Sequence, residues 1–129
     1  MTTASANPSL QRHATLIVGA TAGLGRALAG QLAAKGCDLV LTGRDPRDLH
    51  ALASDLRLRH DVRVAEVVLD LTENPNTWNL RSACATLSPL EAILLPAGTV
   101  LVDDASTLDD DGATALLRAN FLGLVQVIQ

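Results

Sequence analysis

Three glycines, Gly19, Gly23 and Gly25, follow directly on the apolar run Thr15-Leu16-Ile17-Val18 and open a stretch with helical apolar spacing. A strand-to-helix turn is the context in which such a pattern means phosphate. Glycine tolerates a left-handed backbone, its missing side chain lets a pyrophosphate come close, and the first N–H groups of the helix attract negative charge. The spacing is G-x-x-x-G-x-G, and no Gly-Lys-Ser/Thr follows, so this is not a Walker loop. The same residues also suit a tight turn that packs helix on strand and holds no ligand.

Further candidates recur at the ends of the later apolar runs. Gly43-Arg44 follows Asp38–Thr42, and in a dinucleotide-binding sheet this position faces the adenosine ribose. A carboxylate there suits the 2′-hydroxyl of NAD, and a guanidinium suits the 2′-phosphate of NADP. Asp45 stands 20 residues after Gly25, the generic spacing of a ribose-binding acid, but it also precedes Pro46 and reads as a helix N-cap. Asp70-Leu71 ends the third run, where Asp70 either lines a pocket or caps the following loop. Asn120 interrupts an apolar helix, and a buried amide there needs a partner; facing solvent, it needs none.

The elements that must position these residues alternate between short strand-like runs and longer helix-like stretches, the pattern of a parallel sheet. The first helix carries Leu24, Leu28 and Leu32 at i, i+4, i+8 and stops at Gly36. Leu49, Leu52 and Leu56 form the stripe of the second, whose cationic end Arg57-Leu58-Arg59-His60 suits a helix C-terminus. Val62–Leu69 reads as a third strand, Thr72–Leu87 as a loop and a helix around Trp78 and Cys84, and Ala92–Leu95 as a fourth strand. Trp78 is expected to pack. The last helix, from about Thr107, presents Leu117, Phe121, Leu124 and Ile128 on one apolar face. Such a stripe and a fourth strand without a successor lead us to expect a fold cut off at this point, or a partner covering the face.

Composition narrows the field. The chain has 129 residues, 48% hydrophobic and 19% charged, with a formal net charge of −4, so one globular domain with its own core is expected. Its basic residues are scattered and its pI is near 5.1, which argues against a nucleic-acid or anionic-membrane partner. Residues 1–13 are expected to form a disordered leader before a domain over 14–129. No stretch reaches the ~18 apolar residues of a membrane span. Cys37 and Cys84 have neither CxxC spacing nor a nearby His pair, so two free thiols in a reducing cytoplasm are expected, with no metal site. Asp103-Asp104 and Asp109-Asp110-Asp111 lie next to and at a helix start, where they complement the dipole. His13, His50 and His60 have no ligand or catalytic partner at sequence spacing. The chain has no tyrosine, which excludes any mechanism that needs one from it.

Together the motifs resemble the short-chain dehydrogenases/reductases, whose fingerprint is T-G-x-x-x-G-x-G; Val18 stands in place of the threonine. The resemblance runs over the whole chain after the leader. It implies an α/β, Rossmann-like doubly wound parallel sheet in the order 3-2-1-4, cut off after the fourth strand and its helix. It implies that Gly19, Thr21, Ala22, Gly23, Leu24 and Gly25 hold the pyrophosphate, and that Arg44 after Gly43 favours NADP(H) over NAD. Asp70 and Leu71 are expected to line the adenine pocket. Leu95-Pro96-Ala97-Gly98 is similar to the family's N-N-A-G, with Ala97 and Gly98 passing under the cofactor and both asparagines replaced. Asn120, 22 positions after Gly98, matches the asparagine that distorts its helix and helps hold a water in the proton relay. The activity implied is hydride transfer between a nicotinamide and a small carbonyl or alcohol. The family's serine, tyrosine and lysine have no counterpart here, since the one lysine is Lys35 in the first helix, so this chain alone is expected to be inactive. A non-catalytic dinucleotide-binding module or subunit is the alternative. Self-association through the last helix is expected in either case.

Overall fold

A computed structural model describes residues 12–73, 77–87, 89–98 and 109–129. Most of the expected leader, and Asp103, Asp104, Thr107 and Leu108, lie outside the described residues. Four parallel strands, β1 (Ala14–Val18), β2 (Asp38–Gly43), β3 (Val64–Val68) and β4 (Leu90–Leu94), make one sheet in the order β3-β2-β1-β4. Both β1 and β2 are buried along their whole length, which explains their near-continuous apolar sequences.

Alternate strand residues feed two cores. On one face Ile17, Leu39 and Leu41 meet α1 (Gly23–Ala34) and α2 (Pro46–Arg59). On the other, Leu16, Val18, Val40 and Val67 meet Leu80 of α3 (Thr77–Thr86), and Leu124 and Val127 of α5 (Gly123–Ile128). Helices on both faces of a parallel sheet define the doubly wound, Rossmann-like architecture.

The sequence signals place the helix ends well. Asp45 Oδ1 accepts from Arg47 N at 2.9 Å and Pro46 is the first helical residue of α2, so Asp45 is an N-cap. Gly36, at φ +84°, ends α1. Asp109 caps α4 (Asp110–Leu117) by accepting from Gly112 N at 2.7 Å.

Other expectations need correction. The third and fourth strands are Val64–Val68 and Leu90–Leu94, against Val62–Leu69 and Ala92–Leu95. Leu24 is 65% exposed: α1 meets the sheet through Gly25, Ala29 and Ala33, with Leu28 and Leu32 half-buried beside them. Trp78 lies on α3 but is 76% exposed, so it is no core residue. The last helix is not uniform. A π-helical turn, Arg118–Leu122, joins α4 to α5, and the buried residues are Ala119, Gly123 and Val127. Leu117, Phe121 and Ile128 stay exposed, while Leu124 packs on the sheet instead of completing their face. Small residues take the buried side because the backbones come close: a Cβ on Gly123 would lie 2.6 Å from Leu71 O.

Candidate functional site

The strand order reverses direction between β1 and β4, and a crevice opens beyond the carboxyl ends of strands at such a point. Hydrogen bonds gather the strand ends into its floor. Ala97 N donates to Val18 O, Ala20 N to Thr42 O and Leu69 N to Gly43 O, each at 2.9 Å, and Gly19 N donates to Thr42 Oγ1 at 3.2 Å. The resulting cleft, of about 260 Å3, is lined by Gly19, Thr21, Ala22, Arg44, Asp70, Leu71, Ala97 and Gly98 among the expected residues.

Close packing explains the glycines. A Cβ on Gly25 would fall 1.8 Å from Gly19 O, so α1 starts hard against the turn. Gly19, at φ +88°, has Ala97 on its side-chain side, where a Cβ would meet the Ala97 Cβ at 2.7 Å. Gly23 needs glycine for its backbone, at φ +53°, and a Cβ there would meet nothing within 4 Å. Ala22, the N-cap of α1, makes no side-chain cap and no acid occupies the first turn, unlike α2 and α4 with Asp45 and Asp109. The N-terminal end of α1 is therefore left to attract an anion.

Around the rim, Asp70 Oδ1 accepts from Thr72 Oγ1 at 2.6 Å and from Thr72 N at 2.9 Å. These bonds hold its carboxyl below the ordinary 3.8 against a smaller opposing effect of burial, and the Arg44 guanidinium adds a lowering smaller still. Both bonds fall on Oδ1, so Oδ2 is the atom available to accept from an amine. Asp70 thus combines the loop-capping and pocket-lining placements. Arg44 is exposed at the mouth, and a second, shallow depression runs from it past Asp45, Pro46 and Arg47. Asp45 is committed elsewhere: Arg47 Nη2 lies 3.1 Å from its Oδ2 and holds its carboxyl below the usual range.

Not every expected residue lines the cleft. Gly23, Leu24 and Gly25 form the first turn of α1 beside it, and Asn120 stands behind Gly98. Asn120 lies in the π-helical turn, donates from Nδ2 to Leu116 O at 3.1 Å, and has Oδ1 only 2.7 Å from where a Cβ on Gly98 would be. π-Helical turns inside α-helices are frequent at functional sites.

Val18, Gly43, Leu69 and Pro96 also line the cleft, as do Thr42, Thr72 and Ala119, to which sequence reasoning gave no part in the site. The Asp-x-Thr spacing of Asp70 and Thr72 was a usable local signal; nothing local marked Thr42, whose partner comes from the neighbouring strand. Spacing also missed His50 Nδ1, which lies 3.1 Å from Glu66 Oε1 across α2 and β3. Among the described residues no group of acidic, histidine or cysteine side chains could hold a metal ion, and no helix is long and apolar enough to cross a membrane. Cys37 and Cys84 are free thiols, and burial pushes the Cys84 thiol up.

The same sheet and helices recur in known proteins. A family model described as short chain dehydrogenase matches residues 13–129, and the chain belongs to that family. It is 34% identical to a sulfoacetaldehyde reductase of Chromohalobacter salexigens over 116 residues, covering 86% of this chain and 44% of the reductase. A second reductase of that organism, sulfoacetaldehyde reductase 2, is 48% identical over 58 residues, covering 45% of this chain and 22% of its own length. Among solved structures, a short-chain dehydrogenase from Sphingobium yanoikuyae in complex with NADPH superposes with a TM-score of 0.80 at 28% identity, covering 90% of this chain and 46% of its own. The chain spans less than half the length of each of these relatives.

Proposed function

We propose that this chain is the cofactor-holding portion of an NADP(H)-dependent short-chain oxidoreductase acting on a small carbonyl or alcohol. The observation that carries the reading is Arg44 at the mouth of a glycine-lined cleft, directly after a glycine where a ribose-binding acid would stand. The residues fit the cofactor: the uncapped start of α1 suits the pyrophosphate, Arg44 a 2′-phosphate, and Asp70 Oδ2 the amine of an adenine. NADPH-bound and aldehyde-reducing relatives support the same assignment.

When bound, the nicotinamide supplies or accepts the hydride. This chain's residues bind and orient. Gly19, Thr21, Ala22, Gly23, Leu24 and Gly25 bring the turn and the first helical turn to the phosphates, with Leu71, Ala97 and Gly98 below the rest. Asn120 acts as a positioning residue, its amide fixed by Leu116 O against Gly98, and holds a water for proton transfer. Acid/base chemistry must come from outside this sequence, which has no tyrosine and only Lys35, on α1.

That composition favours a second reading as well, a dinucleotide-binding module or subunit that performs no chemistry itself. Location in a reducing cytoplasm, and self-association through the last helix, belong to both. A turnover assay separates the catalytic claim from the binding claim: the purified chain with NADPH and short aldehydes is expected to give no oxidation above the blank. Turnover at the rate of an intact reductase would overturn the assignment of the acid/base groups to residues beyond this chain.

A further inference from the structure

Gly43 is buried at the end of β2 with an ordinary negative φ, so backbone conformation does not explain its lack of a side chain. Space does. A Cβ at this position would lie 2.8 Å from Thr21 Cγ2, with Thr21 Oγ1 at 3.5 Å and Leu49 Cδ1 at 3.6 Å. Leu49 is 1% exposed and locked in the α2 core, which closes that side. The turn cannot slide away from the strand either, because Ala20 N and Gly19 N are bonded to Thr42 O and Thr42 Oγ1. Thr21 is β-branched and carries two heavy atoms on Cβ, so only one of its three staggered orientations turns a hydrogen toward Gly43.

We infer that the Thr21 methyl is a specificity gate: in the orientation it adopts it crowds a side chain at position 43, and with it the acid that would bind a ribose 2′-hydroxyl. Position 43 thereby adds no further carboxylate beside Arg44, where Asp45 and Asp70 already line the depression. The inference rests on the dinucleotide reading of the cleft and assigns discrimination to two residues, Arg44 attracting the 2′-phosphate and Thr21 excluding its competitor. A carboxylate introduced at position 43 alone meets the methyl; introduced together with Thr21→Ser, which keeps the hydroxyl, it reaches the ribose site.

Two readouts on the whole 129-residue chain separate the steric claim from the nucleotide claim. In thermal melts, which need no ligand, Gly43→Ala is expected to lower Tm by about 5 °C and Thr21→Ser in the same chain to restore most of it. In calorimetric titrations, Gly43→Asp is expected to weaken NADPH binding at least tenfold without gaining NADH, whereas Gly43→Asp with Thr21→Ser gains NADH binding and prefers it. An alanine at position 43 that costs nothing, or a loss that Thr21→Ser leaves unrelieved, overturns the gate. So does NADH binding by Gly43→Asp alone equal to that of the double variant. If the melts behave as expected while the parent chain binds neither nucleotide, the contact is structural only, and both the specificity role and the dinucleotide reading fall.

Discussion

Asp70 shows how a single carboxylate serves both architecture and ligand. Thr72 Oγ1 and N stabilise its charge first, and the Arg44 guanidinium adds to them, so its pKa in the folded chain lies below the ordinary 3.8. A lowered carboxyl pKa contributes stability that is present above the unfolded value and is lost as pH falls through the folded one. The stability gap between the parent chain and Asp70→Asn, followed by chemical denaturation, is therefore expected to narrow as pH falls from about 5 through the unfolded value of 3.8 and then the lower folded one. A gap that stays constant over that range would separate its ionisation from folding. Asp45 belongs to a different class, because its carboxylate caps α2 and is engaged by Arg47. Asp45→Ala is expected to lower stability in the same measurement through the lost cap, with little direct effect on nucleotide binding. Asp45 was legible as a cap because the Asp-Pro pair is a local signal. Thr42 was not legible as the acceptor for Gly19 N, because that bond depends on the register of β1 against β2.

At the level of elements, close approach decides which face of a helix is buried. The apolar spacing of α1 favours Leu24, Leu28 and Leu32, yet the face against the sheet is Gly25, Ala29 and Ala33, one residue along. Hydrophobicity weighs large side chains most, whereas a helix that must start against Gly19 O can only present small ones. Gly25→Ala is expected to cost at least about 2 kcal/mol, while Leu24→Ser stays within about 0.5 kcal/mol, as read by urea denaturation. Equal effects at the two positions would mean that α1 packs through its leucines. The family resemblance led us to expect a distorted helix at Asn120, where the π-helical turn lies, but apolar spacing by itself gave no sign of it. Apolar periodicity assumes one uninterrupted helix, and the wider turn at Arg118–Leu122 changes which side of α5 faces Leu71. Strand identity was legible from the alternation of strand-like and helix-like runs with glycine and proline at their junctions, while the strand order came from the family resemblance.

Across the whole molecule, apolar exposure is uneven. Leu90 and Ile93 of β4, with Leu117, Phe121, Leu122 and Ile128 of the last helical segment, are all at least 39% exposed. The β4 edge away from β1 has no strand beside it among the described residues, whereas at β3 the Glu66 carboxylate is held by Arg57 and His50 from α2. An open strand edge and exposed apolar helix residues are each surfaces for association. Sedimentation of the chain is expected to show concentration-dependent self-association that Leu117→Asp with Phe121→Asp reduces; a stable monomer at all concentrations would contradict this. The expected residues Gly19, Thr21, Ala22, Arg44, Asp70, Leu71, Ala97 and Gly98 converge on one cleft although they come from four separate strand ends, and the account stands on what that cleft binds. The most direct test is a calorimetric titration of the chain with NADPH and with NADH, at low salt, beside Arg44→Ala. The account predicts NADPH binding that Arg44→Ala weakens by roughly tenfold or more, the loss of one charge-assisted contact of about 1.5–3 kcal/mol, with NADH binding little changed. A folded chain that binds neither nucleotide, or binds NADPH equally well without Arg44, would contradict it.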